Sequence, residues 1–364
     1  MKFRAVKSSL LDGLQIVQSI VSTKTTLPVL GNVLFKTEDK KLYLTTTDLD
    51  ITVRCGIEAD IVTPGVTTLP ARRLSNIVRE LSDSEIEIDV DEDNKASVSC
   101  GSSFFKLWGL AEDEFPTMEE ASGDYCYHID QAVLKEMLCK TAYGASTDET
   151  RYVLNGVFMS FKGEKLTMVA TDGRRLALVE QEVEFPEEAE IDIIVPSKTV
   201  TELIHTLNDE GVVDIHAQGN RAFFDFDDIR VASKLIDGTY PNYRQVIPSQ
   251  CEERVAIERE SLLLALRRVA LLTSDKANAT KLTFADNKLV ISLDSPEVGE
   301  ARETVPIKYD GKEITVAFNP EYMMDPLKTL KTDEVFIELT DDLSPGVIKC
   351  DTPFLYVLMP MRIS

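Results

Sequence analysis

Tryptophan occurs once and histidine three times in this chain of 364 residues. His128, His205 and His216 stand in no recognisable local motif beside a nucleophile, which disfavours His-dependent catalysis. The six cysteines, at 55, 100, 126, 139, 251 and 350, include no C-x-x-C pair and have no histidine at ligand spacing, so they read as reduced, mostly buried thiols and no metal is expected. Neither G-x-x-x-x-G-K-[ST] nor G-x-G-x-x-G occurs, so no backbone cradle for nucleotide phosphates is expected. No apolar run approaches the ~20 residues that span a bilayer. The opening "MKFRAVKSSLLDGLQIV" turns polar and amphipathic before a signal-peptide core forms, so a cytoplasmic location is expected. Positive charge is also short: 39 Lys and Arg face 62 Asp and Glu, for a net charge of -23. Such a surface repels nucleic acid unless its cations are concentrated locally.

What is present is a hydrophobic content of 43%, typical of globular proteins, in a chain long enough for roughly two to four domains. Three landmarks recur in register. Amphipathic openings start at Ser9 ("SLLDGLQIV"), Ala132 ("AVLKEMLCK") and Ser261 ("SLLLALRRV"). Paired strand patterns follow, reaching Thr47-Asp48 in the first copy and Thr171-Asp172 in the second; the third keeps only Lys288-Leu289 and Asp294. Second helices then begin at Pro70, Pro196 and Asn319, with Leu74, Ile77, Val78 and Leu81 at the spacing of one buried face. Pro326 inside the third of these predicts a shorter or bent helix. Each copy reads as strand, helix, several strands, helix, several strands, which predicts three copies of one α+β domain.

Differences between copies isolate candidate sites. Asp48 and Asp50 form a D-x-D pair that could hold a divalent ion. Asp48 aligns with Asp172, but Asp50 aligns with Arg174, so the first carboxylate reads as a shared turn residue. The second copy adds Gly173, Arg174 and Arg175 at this corner, which marks it as a site or as a glycine chosen for a positive-φ turn with two solvated arginines. On the second helix of the first copy, Arg72, Asn76 and Arg79 lie opposite Leu74 and Ile77. This stripe is either a solvated helix face or a phosphate contact; Arg267 and Arg268, and Lys198 at the Arg72 position, give similar displays.

The segments "TLPVLGN" (26–32), "TDLDITV", "LPARRL", "RYVLNGV" (151–157), "ATDGRRLAL" (170–178), "YPNYRQV" (240–246) and "YVLMPMR" closely resemble the bacterial DNA polymerase III beta subunits, the sliding clamps, with matching spacing along the whole chain. The resemblance implies an α+β fold of three tandem DNA-clamp domains, over 1–121, 128–246 and 247–364, each with two helices packed on antiparallel sheets. It further implies a head-to-tail homodimeric ring around duplex DNA, bound without regard to sequence. The expected function is that of a processivity factor, with no catalysis, cofactor or metal. Expected partners are the DNA polymerase III alpha subunit, the clamp loader complex and clamp-motif proteins of repair and initiation control, in the bacterial cytoplasm at the nucleoid during replication.

Carried over residue by residue, the DNA-facing positions are Lys24, Arg72, Tyr152 and Lys198. Asp148 and Val153 depart from the family's Gln and second Tyr. A hydrophobic groove for partner peptides is implied at Leu154, Thr171, Gly173, Arg174, Arg175, Leu176, Pro241, Val246, Asn319, Tyr322, Ser344, Val357, Met359, Pro360, Met361 and Arg362. Arg174 stands where the family has His, and Gln245 where it has Arg. Alternation in "SSFFKLWG" puts Phe105 and Leu107 on one face, and the resemblance implies that they meet Leu271 and Leu272 across the dimer interface, the alternative being that they belong to their own domains' cores. The alternative functions are an acidic protein-interaction scaffold without a DNA role and a metal-dependent enzyme using Asp48 and Asp50.

Overall fold

The computed structural model describes residues 1–21, 27–38, 41–82, 84–117, 125–274, 279–295 and 298–362. The first third runs β1 (Lys2–Val6), α1 (Lys7–Gln18), β2 (Asn32–Glu38), β3 (Lys41–Thr47), β4 (Ile51–Ile57), β5 (Asp60–Thr63), β6 (Val66–Pro70), α2 (Ala71–Glu80), β7 (Glu85–Val90), β8 (Lys95–Cys100) and β9 (Ser103–Trp108). The second runs β10 (Tyr127–Asp130), α3 (Gln131–Thr141), β11 (Gly156–Lys162), β12 (Lys165–Thr171), β13 (Arg175–Glu182), β14 (Ile191–Pro196), α4 (Ser197–Thr206), β15 (Val212–Gln218), β16 (Arg221–Phe226) and β17 (Ile229–Lys234). The third runs β18 (Glu253–Glu258), α5 (Arg259–Ala270), β19 (Thr280–Ala285), β20 (Lys288–Ser295), β21 (Gly299–Pro306), β22 (Ile314–Phe318), α6 (Pro320–Thr329), β23 (Glu334–Leu339), β24 (Gly346–Lys349) and β25 (Phe354–Leu358). Apart from the extra β5, every third has the same order. Within it the order β-α-β-β-β occurs twice, as two half-repeats.

The chain divides into two compact units, one of Met1–Lys135 with Thr201–Leu235 and the other of Glu136–Val200 with Ile236–Ser364. The first holds a five-stranded sheet, β5-β1-β7-β8-β9, and an eight-stranded sheet, β10-β15-β16-β17-β4-β3-β2-β6. The second holds an eight-stranded sheet, β14-β11-β12-β13-β25-β24-β23-β18, and a four-stranded one, β21-β20-β19-β22. Both eight-stranded sheets span two repeats. Each joint is an antiparallel pair: β17 on β4, with Val231 opposite Val53, and β13 on β25, with Leu176 opposite Val357.

Helix α2 buries Ala71, Leu74, Ser75 and Val78 and turns Arg72, Arg73, Asn76 and Arg79 to solvent, as the apolar spacing predicts. Helix α6 keeps ten residues, as many as α2, despite Pro326 inside it. A proline cannot donate to the carbonyl four residues back, and here that carbonyl, of Tyr322, accepts the Tyr356 hydroxyl of β25 at 2.8 Å. The orphaned acceptor is thus satisfied by the last strand of the chain. Among the described residues no helix is long and apolar enough to cross a membrane.

Candidate functional site

The Thr-Asp corners of the first two repeats are the same turn. In the first, the Asp48 carboxylate accepts from the Asp50 and Ile51 amides at 3.0 and 2.8 Å, and the Leu49 amide donates to Thr47 Oγ1. In the second, Asp172 accepts from the Arg174 and Arg175 amides at 2.8 and 3.0 Å, and the Gly173 amide donates to Thr171 Oγ1. The turn needs a positive φ at its tip, +80° at Leu49 and +84° at Gly173. Asp48 therefore serves its turn, and Asp50 pairs with Lys234 at 2.9 Å. The enzyme alternative built on these two carboxylates is not favoured: Asp48 already accepts from two backbone amides of its turn.

Around the second corner an apolar patch forms from four elements. Leu154 of the turn Glu149–Leu154, Leu176 of β13 and Val357 of β25 belong to one buried cluster with Val169, Ile194 and Tyr240. Phe158 stacks on Tyr240 at 4.9 Å, and Tyr243 packs against the cluster from the short helical turn Tyr243–Val246. That turn leaves Val246 47% exposed, beside exposed Pro241. The chain end is held by backbone: the Met359 amide donates to the Arg174 carbonyl at 2.9 Å and the Met361 amide to the Ala317 carbonyl at 2.7 Å. Held this way, Met359 keeps its side chain 44% exposed, next to half-buried Pro360 and Met361 and exposed Arg362. Apolar side chains tethered by main-chain bonds but left in water suit a short apolar ligand.

Arg175 stands apart from these exposed side chains. Its guanidinium is 11% exposed, pairs with Asp172 at 3.1 Å and Asp325 at 2.5 Å, and lies over the Tyr322 ring at 4.2 Å. It is one centre of a network that also holds Tyr143 and Tyr356, whose hydroxyls burial pushes well above the ordinary tyrosine range. Sequence reasoning missed Asp325 and Tyr143. Asp325 carries no visible signal, because its partner lies 150 residues away. Arg174, by contrast, is exposed, and with Arg151, Asp148, Asp172 and Tyr322 it lines a polar recess beside the corner.

Asn319 caps α6, its side chain accepting from the Glu321 amide at 2.9 Å, and the Ser344 amide donates to Asp341. Of the positions expected to face DNA, Lys24 lies outside the described residues. Arg72 is exposed and donates to the Val21 carbonyl at 3.1 Å, Tyr152 is 58% exposed and Lys198 is exposed. Asp148 caps its own turn; the Thr150 hydroxyl and amide hold its carboxyl below the usual range, so it stays charged. Arg268 is paired through both arms with Glu303 at 2.8 and 2.9 Å. Of the residues expected between protomers, Phe105 is 39% and Leu271 80% exposed, Leu272 is half-buried, and Leu107 is already covered within the chain. Phe104 and Trp108, at 59% and 68%, add exposed aromatic surface that alternation alone did not reveal.

Three consecutive domain families match the chain: the N-terminal domain of the DNA polymerase III beta subunit over residues 1–119, its central domain over 128–242 and its C-terminal domain over 244–362. Beta sliding clamps of Chlamydia muridarum and Pseudomonas aeruginosa are 31% and 35% identical, each covering 100% of this chain, which spans 99% and 100% of their lengths. Among solved structures, a Pseudomonas aeruginosa sliding clamp bound to griselimycin (34% identity, TM-score 0.95) and the Bacillus subtilis sliding clamp (30%, TM-score 0.94) each match over 100% of both chains. With its three clamp domains in tandem, the chain belongs to the DNA polymerase III beta subunit family, the beta sliding clamps.

Proposed function

We propose that two copies of this chain close head to tail into a ring around duplex DNA and hold a replicative polymerase to its template. The clamp domains are taken as 1–121, 128–246 and 247–364. The observation that carries the ring is the pattern of strand edges. At both joints inside the chain, the last strand of a second half-repeat pairs antiparallel with the last strand of the preceding repeat's first half: β17 on β4 and β25 on β13. The same rule leaves two such ends within one chain, β9 and β21, each at the edge of its sheet. Joining β9 of one copy to β21 of the next repeats the rule, is heterologous, and removes two open edges. Exposed Phe104, Phe105 and Trp108 on β9, with Leu271 just after α5, are then covered.

In this reading Arg72, Tyr152, Lys198 and, beyond the described residues, Lys24 meet phosphates without reading bases, while the acidic remainder repels DNA from other surfaces. The groove of Leu154, Leu176, Pro241, Val246, Val357 and Met359 takes short apolar segments of the polymerase alpha subunit, the clamp loader and repair or initiation-control proteins. Two or three anchors, at roughly 1.5–3 kcal/mol each, are partly offset by ordering costs, so binding stays weak enough for partners to exchange. The test is primer extension under single-encounter conditions with a clamp loader and a polymerase of this type. Products should lengthen many-fold with the protein; unchanged length with both partners active rejects the proposal.

A further inference from the structure

We propose that Cys126, His128 and Asp214 form a binding site for one borderline-soft divalent ion of the Zn²⁺ class. A Cys-x-His step is no zinc signature by itself, and the third donor lies 86 residues beyond the histidine. Strand pairing supplies it. Residues two apart along an extended segment point to one side, so Cys126, just ahead of β10, and His128 within it share a face. His128 lies directly opposite Asp214 of β15, and opposed residues share a face. His128 Nδ1 is 2.7 Å from Asp214 Oδ1 and 3.8 Å from Cys126 Sγ, and donor atoms of all three lie within 4.8 Å of one another.

Tetrahedral zinc, with bonds of ~2.0–2.3 Å, keeps its donors roughly 3.2–3.8 Å apart. Sulfur and nitrogen already stand at that separation, and the carboxylate has to withdraw by about 0.5 Å once the ion replaces its contact with the imidazole. Asp225 of β16 lies opposite Asp214 and is gripped by Arg230 through two bonds of 2.5 and 2.9 Å, so it does not compete as a ligand. One thiolate, one imidazole and one carboxylate with water in the fourth position make a donor set suited to Zn²⁺ rather than Mg²⁺. Because β10 ends its sheet, the ion would clip the start of the middle repeat to β15.

The test is equilibrium dialysis of the intact protein against Zn²⁺ in excess Mg²⁺, which occupies carboxylate-only sites on an acidic surface. One Zn²⁺ per chain is expected, with affinity falling at least tenfold in both Cys126→Ser and His128→Ala. With Co²⁺ as the probe, a thiolate-to-cobalt charge-transfer band should appear and vanish in Cys126→Ser. A measurement that needs no variant is alkylation of the native protein read by mass spectrometry, where Zn²⁺ should slow labelling of Cys126 and leave Cys139, Cys251 and Cys350 unchanged. Absence of Zn²⁺ binding above the Mg²⁺ background overturns the proposal, as does unprotected Cys126 at saturating Zn²⁺.

Discussion

Replacing Met359 or Val246 with alanine should weaken peptide docking while sparing the fold. These side chains are 44% and 47% exposed, so a docked apolar peptide covers at most about half of each. Full burial of a Met or Val side chain is worth roughly 1.5–3 kcal/mol, so covering the exposed half is worth about 0.7–1.4 kcal/mol. Each truncation should therefore lower affinity about three- to tenfold, and the stability cost should stay near 1 kcal/mol or less, since about half of each side chain is already in water. The assay is fluorescence anisotropy of a labelled apolar peptide from a clamp-binding protein, with denaturant unfolding alongside. Val212→Ala is the control, because Val212 is 49% exposed on β15 and outside the groove. Affinity within twofold of the parent in both variants, with the fold intact, refutes the placement of the groove.

Arg175→Ala leaves Asp172, at 15% exposure, without its counter-charge and Asp325 with only the more exposed Lys328 at 3.3 Å, and should cost about 2–3 kcal/mol in denaturant unfolding, whereas exposed Arg174→Ala should stay within about 0.5 kcal/mol. Tyr356→Phe removes the donor to the Tyr322 carbonyl that Pro326 cannot satisfy; a loss of about 1–3 kcal/mol is expected by the same measurement. Gly173→Ala should destabilise by about 1 kcal/mol from its φ of +84°, while Leu49→Gly at φ +80° should be neutral or stabilising. Trp108→Asp on the β9 edge should convert dimer to monomer in sedimentation velocity and leave peptide affinity unchanged.

The sequence made the repeat legible because its signals are local. Leu74 and Val78 sit on one helical face, and Thr171-Asp172-Gly173 carries its own turn chemistry within three residues. The groove's apolar floor was legible only through resemblance, since Leu154, Leu176 and Val357 come from three distant elements and nothing in any one of them announces the other two. Least legible were polar contacts that depend on packing. Arg175 reads as one of two solvated arginines at a corner, yet Asp325 and Tyr322 enclose it. Pro326 reads as a helix breaker until β25 brings the Tyr356 hydroxyl to the orphaned carbonyl. On β9, alternation marks Phe105 and Leu107 as equivalents, but the structure buries Leu107 and exposes Phe104 and Trp108, because at this edge part of each face is left uncovered.

The central claim is topological, and one measurement reaches it directly. The protein is loaded onto nicked circular DNA with a clamp loader, freed of unbound material by gel filtration, and the circle is then cut once. A closed ring stays with the circle through the column and runs off after the cut. Protein that stays on the linear DNA, or that never remains with the circle, contradicts the account.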